Sequence, residues 1–148
     1  MKTVFSLKER LKKDSAQVAE VQEVTLRKDY TLPGGLKGTH GLFGSDEWWS
    51  NIANGTAPVV RLEGTIEKVY FEGMHNDGRG FAMRNADGST YAYSCVANDK
   101  RDLSLYKEGK RIVLTYVVED LRNPIEVVGR PDERTSDTIL EIAIDDAS

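Results

Sequence analysis

The sequence has a single cysteine, Cys95, among its 148 residues. An intrachain disulfide is therefore excluded, which is typical of proteins that work in a reducing compartment. The chain also lacks an apolar run of the length that a membrane span requires. Lys2 and Lys8 interrupt the first apolar residues before the core of a signal peptide can form. We therefore expect a cytoplasmic protein with no membrane span.

Residues that bind metals or perform catalysis are also scarce. His40, His75 and Cys95 do not have the short ligand spacings of zinc sites. The glycine-rich stretches at 38–41 and 78–80 are not followed by the Lys and Ser or Thr of a phosphate-binding loop. No serine or cysteine lies in a recognisable nucleophile motif. We therefore expect a non-enzyme with no catalytic residue, no metal site and no cofactor.

Positive charge is in slight deficit. The chain has 20 Lys and Arg residues and 24 Asp and Glu residues, which give a net charge of −4. A protein that binds nucleic acid mainly through phosphate contacts is usually basic. The acidic balance therefore disfavours nucleic acid as the partner, although it is compatible with a local basic patch.

The pattern at residues 59–71 predicts one long, bent β-strand. Its apolar residues alternate with polar ones, as they do in a strand with one buried face. The apolar positions are even-numbered up to Ile66 and odd-numbered from Val69. Because a strand changes its buried face only through an extra residue, we expect a bulge near residues 67–68. Gly64 indicates a close backbone approach or a tight bend. Two short strands with a break between them are the alternative.

The rest of the chain predicts four further strands. They cover residues 81–84, 89–95, 110–119 and 139–144, with an Asp-Gly hairpin signal at 87–88. The order of the five strands is that of a mainly β, small five-stranded OB-like barrel, and an SH3-like barrel is the closest alternative. A bent first strand can serve both halves of such a barrel.

The N-terminal part of the chain is predicted to lie outside this barrel. Residues 2–20 have the apolar spacing of an amphipathic helix, and 20–29 have the period of a weak edge strand. A glycine-rich stretch follows at 34–44. We therefore divide the chain into an N-terminal helical arm with its connection, 1–40, and a β-barrel domain, 41–148.

Both tryptophans lie in a short predicted capping helix. Ser45 is a good N-cap, and Asn54-Gly55 is a good stop signal. Trp48 and Trp49 are adjacent, so they point about 100° apart on a helix. We expect one of them to be buried and the other to be partly exposed. The pair either closes one end of the barrel or presents one ring to a ligand or partner.

The string GLFGSDEWW, the bent strand, the tyrosine-bearing hairpin and the run YKEGKRIVLTY resemble a family of small uncharacterised bacterial proteins. The resemblance covers roughly residues 41–145 and leaves the N-terminal arm outside. It implies a family but no activity.

Aromatic and cationic residues form the candidate binding face of the barrel. An OB-like barrel binds ligands on its second and third strands and the adjoining loops. Aromatic and cationic side chains bind single-stranded nucleic acid by stacking on the bases and by charge. The candidates are Tyr70, His75, Arg79, Arg84, Tyr91 and Tyr93. In the alternative interpretation, Tyr91 and Tyr93 point into the core.

The residues support two hypotheses of function. The first is a non-catalytic interaction module that binds another protein, or a second copy of itself, through the N-terminal arm and the segment 41–55. The alternative is binding of single-stranded nucleic acid or oligosaccharide on the barrel face. The salt dependence of binding distinguishes the two hypotheses, since phosphate contacts weaken steeply as the salt concentration rises and apolar interfaces do not.

Overall fold

The structure is a computed structural model that describes residues 1–13, 44–72, 78–120 and 135–147. The elements in chain order are β1 (Lys2–Ser6), α1 (Leu7–Lys13), α2 (Asp46–Ala53), β2 (Val59–Glu72), β3 (Gly78–Asn85), β4 (Thr90–Ser94), a 3-10 helix (Lys100–Leu105), β5 (Arg111–Asp120) and β6 (Thr135–Ile144). Among these ranges, no helix has both the length and the apolar character needed to cross a membrane.

The chain divides into two compact units. The first comprises Met1–Glu9, Arg61–Thr115 and Ile139–Ser148. The second comprises Arg10–Val60 and Tyr116–Thr138. All six strands have residues in the first unit, whereas α2 belongs wholly to the second.

The six strands form one sheet in the order β1-β6-β5-β2-β3-β4. The pairs β1–β6, β2–β3 and β3–β4 are antiparallel. The prediction of a mainly β, small barrel-like fold with short helices is confirmed, and β1 adds a sixth strand to the five predicted.

The N-terminal residues differ from the predicted helix. Residues 2–6 form β1, which pairs with β6, and the helix begins at Leu7. Val4 and Phe5 are both buried, so the apolar area that they bury in the sheet decides the conformation of this segment. The continuation of the predicted helix to residue 20 and the predicted strand at 20–29 lie outside the described residues.

The long second strand has the predicted bulge. Its register with β3 shifts between Ile66 and Lys68, which leaves Glu67 as the extra residue. Gly64 lies just before the bulge, and a Cβ atom there would be 2.1 Å from the carbonyl oxygen of Arg84. The close backbone approach predicted for Gly64 is therefore confirmed, and no side chain fits at this position.

The predicted Asp-Gly hairpin joins β3 to β4. Asn85 donates its N–H to the carbonyl oxygen of Ser89 over 2.8 Å, and Gly88 has a φ of +88°. The carboxylate of Asp87 accepts hydrogen bonds from the N–H and the hydroxyl of Ser89. These bonds hold the pKa of Asp87 below its usual value. The turn therefore fixes the register of the two strands.

A continuous set of apolar side chains forms the core of the first unit. The largest fully buried ones are Ile66, Phe81, Met83, Tyr106, Ile112, Leu114, Ile142 and Ile144. The ring of Tyr106 packs on Phe81 at a centroid distance of 5.2 Å, and its hydroxyl donates to the carbonyl oxygen of Val96 over 2.7 Å. Burial raises the pKa of Tyr106, so this hydroxyl remains a donor.

The segment that follows β4 covers the outer edge of β1. Asn98 donates its backbone N–H to the carbonyl oxygen of Val4 over 2.9 Å. Its side chain accepts from the N–H of Ser6 and donates to the carbonyl oxygen of Ser6. The sheet therefore curls so that the chain leaving one edge strand caps the other, as in a small barrel.

Helix α2 in the second unit has the predicted boundaries. The hydroxyl of Ser45 accepts from the N–H of Trp48 over 3.2 Å, and Gly55 takes the positive φ of a helix stop. Trp48 is fully buried, Trp49 is half-buried, and their rings meet edge to face at 4.7 Å. The prediction that one ring is buried and the other partly exposed is therefore confirmed.

Candidate partner-binding surface

The structure places seven of the eight candidate binding residues. Trp48 and Trp49 lie on α2 in the second unit. The residues on the neighbouring strands β2, β3 and β4 of the first unit are Tyr70, Arg79, Arg84, Tyr91 and Tyr93. His75 lies outside the described residues.

Tyr91 and Tyr93 lie on the face of the sheet that carries the core. Tyr93 is directly opposite Phe81, and Tyr91 is directly opposite Met83. Opposite residues of an antiparallel pair share one face. Phe81 and Met83 are fully buried, but Tyr91 is half-buried and Tyr93 is 36% exposed. The two tyrosines therefore lie at the margin of the core, where β4 ends the sheet.

Tyr70 and Arg84 lie on the opposite face of the same strands. Tyr70 pairs with Gly80, and a Cβ atom on Gly80 would be 2.6 Å from the ring of Tyr70. Arg84 pairs with Thr90 of β4. Even-numbered β3 residues face one side of the sheet and odd-numbered ones the other. The predicted aromatic and cationic residues therefore form two surfaces and not one.

The guanidinium of Arg84 already has partners within the protein. It donates to the carboxylate of Glu67 over 3.1 Å from Nε and 2.7 Å from Nη2. It also donates from Nη1 to the carbonyl oxygen of Gly88 over 3.1 Å. Arg84 thus joins the bulge of β2 to the hairpin turn, and much of its capacity to bind an external anion is occupied.

Arg79 is the more available cation. Its side chain is exposed and donates to the carbonyl oxygen of Tyr106 over 3.2 Å. Within the described ranges, no carboxylate forms an ion pair with it. The guanidinium is therefore held in position by a neutral acceptor and keeps its charge free for a partner.

Phe71 is a surface residue that the sequence patterns did not indicate. Phe71 is directly opposite Arg79 and is 72% exposed, the largest value for a large apolar side chain in the described residues. Because Phe71 is odd-numbered, its side chain lies on the same face of the sheet as Val69 and Tyr93. It lies near the end of β2, beyond the last row of buried side chains. We call Phe71, Arg79 and Tyr93 the Phe71 patch. Aromatic residues and arginine are the residue types that dominate protein interfaces.

Cys95 follows β4 beside this patch but is not a reactive thiol. Its N–H donates to the carbonyl oxygen of Arg79 over 2.9 Å, and its side chain is half-buried. Burial raises the pKa of the thiol to about 11. The thiol is therefore neutral near pH 7 and acts as a small packing residue. The described residues contain no group of three His, Cys, Asp or Glu side chains that is able to hold a metal ion.

A protein-family model described as immunity protein RhsI2 matches residues 1–145 of the chain. The match covers nearly the whole sequence. The chain belongs to the RhsI2 immunity protein family. Among the curated proteins, none matches the chain.

Membership of the RhsI2 family corrects the resemblance drawn from the sequence. The family has a function, immunity, so the interpretation as an uncharacterised family is wrong. The match also begins at residue 1 and not near residue 41, and therefore includes the N-terminal residues that the resemblance left out. Immunity proteins bind toxin proteins, so protein–protein interaction is the class of function of the RhsI2 family.

Proposed function

We propose that this chain binds a cognate toxin protein directly and neutralises it without catalysis. The observation that carries the proposal is the RhsI2 family match over residues 1–145. Neutralisation by binding requires a surface that excludes water from a contact with the toxin and that holds its own shape.

The Phe71 patch supports this proposal through its chemistry. Phe71 and Tyr93 supply apolar area at little cost in side-chain entropy, and Arg79 supplies five donors in a fixed plane. The strands beneath the patch are held by buried Phe81 and Met83. A toxin that covers this end of the sheet therefore meets a surface that needs little reorganisation before binding.

A titration of toxin activity tests the mode of action. The purified toxin is mixed with increasing amounts of the full chain, and the remaining toxin activity is measured. A binder removes activity in proportion to the amount added and reaches completion near equimolar chain. Complete neutralisation at a small fraction of equimolar chain would show turnover, and unchanged toxin activity at excess chain would refute the proposal.

A salt series distinguishes the protein partner from the nucleic-acid alternative. We expect the affinity for the toxin to fall only a few-fold between 50 and 200 mM salt, because the patch is mainly apolar and contains a single cation, Arg79. A labelled mixed-sequence single strand serves as the comparison probe. Saturable binding of the strand that disappears over the same salt range would favour the alternative function.

A further inference from the structure

The two edges of the sheet differ in how they are protected. Both edge strands, β1 and β4, have five residues, so length does not distinguish them. The edge strand β1 contains a register shift between Thr3 and Phe5 and carries Lys2, which pairs with Asp102 at 2.7 Å. The outward-facing peptide groups of β1 at Val4 and Ser6 are also hydrogen-bonded to Asn98. A bulge, a lysine and a covering segment are the usual means by which proteins block an edge strand.

Within the described residues, the edge strand β4 has none of these three protections. Its sequence, Thr90-Tyr91-Ala92-Tyr93-Ser94, has no charged residue and no proline. Its pairing with β3 runs through five consecutive residue pairs without a register shift. A regular, uncharged edge strand is a template for a further strand.

The hydrogen-bond pattern shows which groups of β4 face outward. Cys95 donates its N–H to Arg79, and Asn85 donates its N–H to Ser89, at the two ends of the β3–β4 ladder. Bonded pairs alternate along an antiparallel ladder. Tyr91 and Tyr93 therefore direct their peptide groups towards β3.

The peptide groups of the intervening residues face away from the sheet. These residues are Thr90, Ala92 and Ser94. Thr90 and Ala92 are exposed, and over the parts of the chain that the structure describes no backbone bond to the outer side of these three residues is present. The outer edge of β4 thus offers three N–H donors and three carbonyl acceptors in a row.

We propose that the outer edge of β4 is the toxin-docking element, on which an extended segment of the toxin adds as a seventh strand. This inference rests on the proposed function. Strand addition gives affinity through main-chain hydrogen bonds and specificity through alternate side chains. The small side chain of Ala92 leaves room for a large toxin side chain on one face of the new strand, and Tyr93 borders it on the other.

The local charge identifies the kind of segment. Arg79 is exposed and has no ion pair within the described residues. It lies on β3, one strand inward from β4 and on the same face as Tyr93, within reach of a long acidic side chain on an added strand. The segment therefore carries a carboxylate. A second copy of this chain would bring the same cation to the edge and no carboxylate from β4, which disfavours self-pairing.

Substitution of Ala92 tests the proposal in binding measurements with the purified toxin. Ala92→Pro removes one outward N–H, leaves the ladder with β3 intact and is compatible with an edge strand. We expect it to weaken toxin binding by about tenfold or more, because one main-chain bond is lost and the ring crowds the added strand. Ala92→Ser is the matched control and should bind within about twofold of the unchanged chain. Equal affinity of Ala92→Pro and the unchanged chain would overturn the proposal.

Amide exchange in the unsubstituted chain provides a second test that needs no variant to fold. In the free protein, the amides of Ala92 and Ser94 should exchange fast and those of Tyr91 and Tyr93 slowly. Toxin binding should slow the hydrogen exchange of the Ala92 and Ser94 amides. Unchanged exchange of these two amides in a saturated complex would overturn edge docking while leaving toxin binding established. Slow exchange of the same amides without toxin, with a dimer in solution, would identify a second copy as the occupant and also overturn it.

Charge reversal at Arg79 tests the acidic character of the segment. Arg79→Glu should weaken toxin binding by about tenfold or more, and the loss should shrink at high salt. Arg79→Lys keeps the positive charge and should lose less affinity for the toxin than Arg79→Glu does. Equal affinities of the unchanged chain, Arg79→Glu and Arg79→Lys would show that the docked segment carries no carboxylate that pairs with Arg79.

Discussion

Asn98 and Ser6 are joined by a two-way hydrogen bond between residues 92 positions apart in the sequence. The N–H of Ser6 donates to Oδ1 of Asn98 over 2.7 Å, and Nδ2 of Asn98 donates to the carbonyl oxygen of Ser6 over 3.1 Å. A side-chain amide thereby satisfies both peptide groups of an edge residue, as a neighbouring strand would do. The β1 edge of the sheet is consequently closed to a further strand.

The first prediction concerns this contact. Asn98→Ala should lower the free energy of unfolding by about 1–2 kcal/mol, because the peptide groups of Ser6 then bond only to water. Urea unfolding measures the change, and faster amide exchange at Ser6 locates it. Lys100→Ala, at an exposed position nearby, is the control and should change stability by less than about 0.5 kcal/mol. Equal stability of the two variants would show that the contact does not hold β1.

The second prediction concerns the close approach at Gly64. Gly64→Ala places a methyl group 2.1 Å from the carbonyl oxygen of Arg84, and a backbone atom does not move aside as a flexible side chain does. We expect a loss of about 3 kcal/mol or more in urea unfolding. At Gly78 an added Cβ atom meets Glu72 at 3.4 Å, an ordinary contact. Gly78→Ala should therefore cost less than about 1 kcal/mol, and a similar cost at both positions would contradict the steric argument.

The third prediction concerns the N-cap of α2. Ser45→Ala removes the acceptor for the N–H of Trp48 and should cost about 1 kcal/mol. Because Trp48 is fully buried, its fluorescence should also shift to longer wavelength if the first turn opens. Ser50→Ala changes an exposed serine of the same helix and serves as the control. An unchanged unfolding midpoint for Ser45→Ala would show that the cap contributes little.

The fourth prediction concerns the pH dependence of Cys95. Burial raises the pKa of the thiol from 9.0 to about 11, so alkylation by iodoacetamide should rise with pH to a midpoint well above that of the urea-unfolded chain. The native state binds the thiol proton more tightly than the unfolded state. The stability from this group is therefore present below about pH 9 and is lost as pH rises towards 11.

A variant without the thiol provides the control. Cys95→Ala should lose less stability than the unchanged chain between pH 9 and 11, while both share the loss that comes from the buried hydroxyl of Tyr106. A native alkylation midpoint at or below that of the unfolded chain would contradict the burial argument.

Local patterns in the sequence were sufficient to predict several details of the fold. The change of parity between Ile66 and Val69 predicted the bulge, because a strand has no other way to exchange its faces. Ser45 and Gly55 predicted the ends of α2, because capping depends on residues within one turn. These signals depend on neighbouring residues and not on distant pairing.

Long-range pairing decided what sequence patterns did not predict. Residues 2–6 carry apolar side chains that fit a helix as well as a strand, and only pairing with β6 makes them a strand. The candidate site was predicted in part for the same reason. Tyr93 lies on a predicted strand, whereas Arg79 was predicted in the connection before Phe81 and is part of β3. The exposure of Phe71 depends on where the buried rows end, and the position of β4 at the edge depends on the strand order.

The central claim is that this chain binds its cognate toxin directly, and isothermal titration calorimetry with the two purified proteins tests it most directly. We predict a saturable signal with a stoichiometry near one, a negative heat-capacity change from apolar burial, and an affinity that falls only a few-fold between 50 and 200 mM salt. A titration without saturable heat at micromolar concentrations at several temperatures, together with toxin activity that the chain does not reduce, would contradict it.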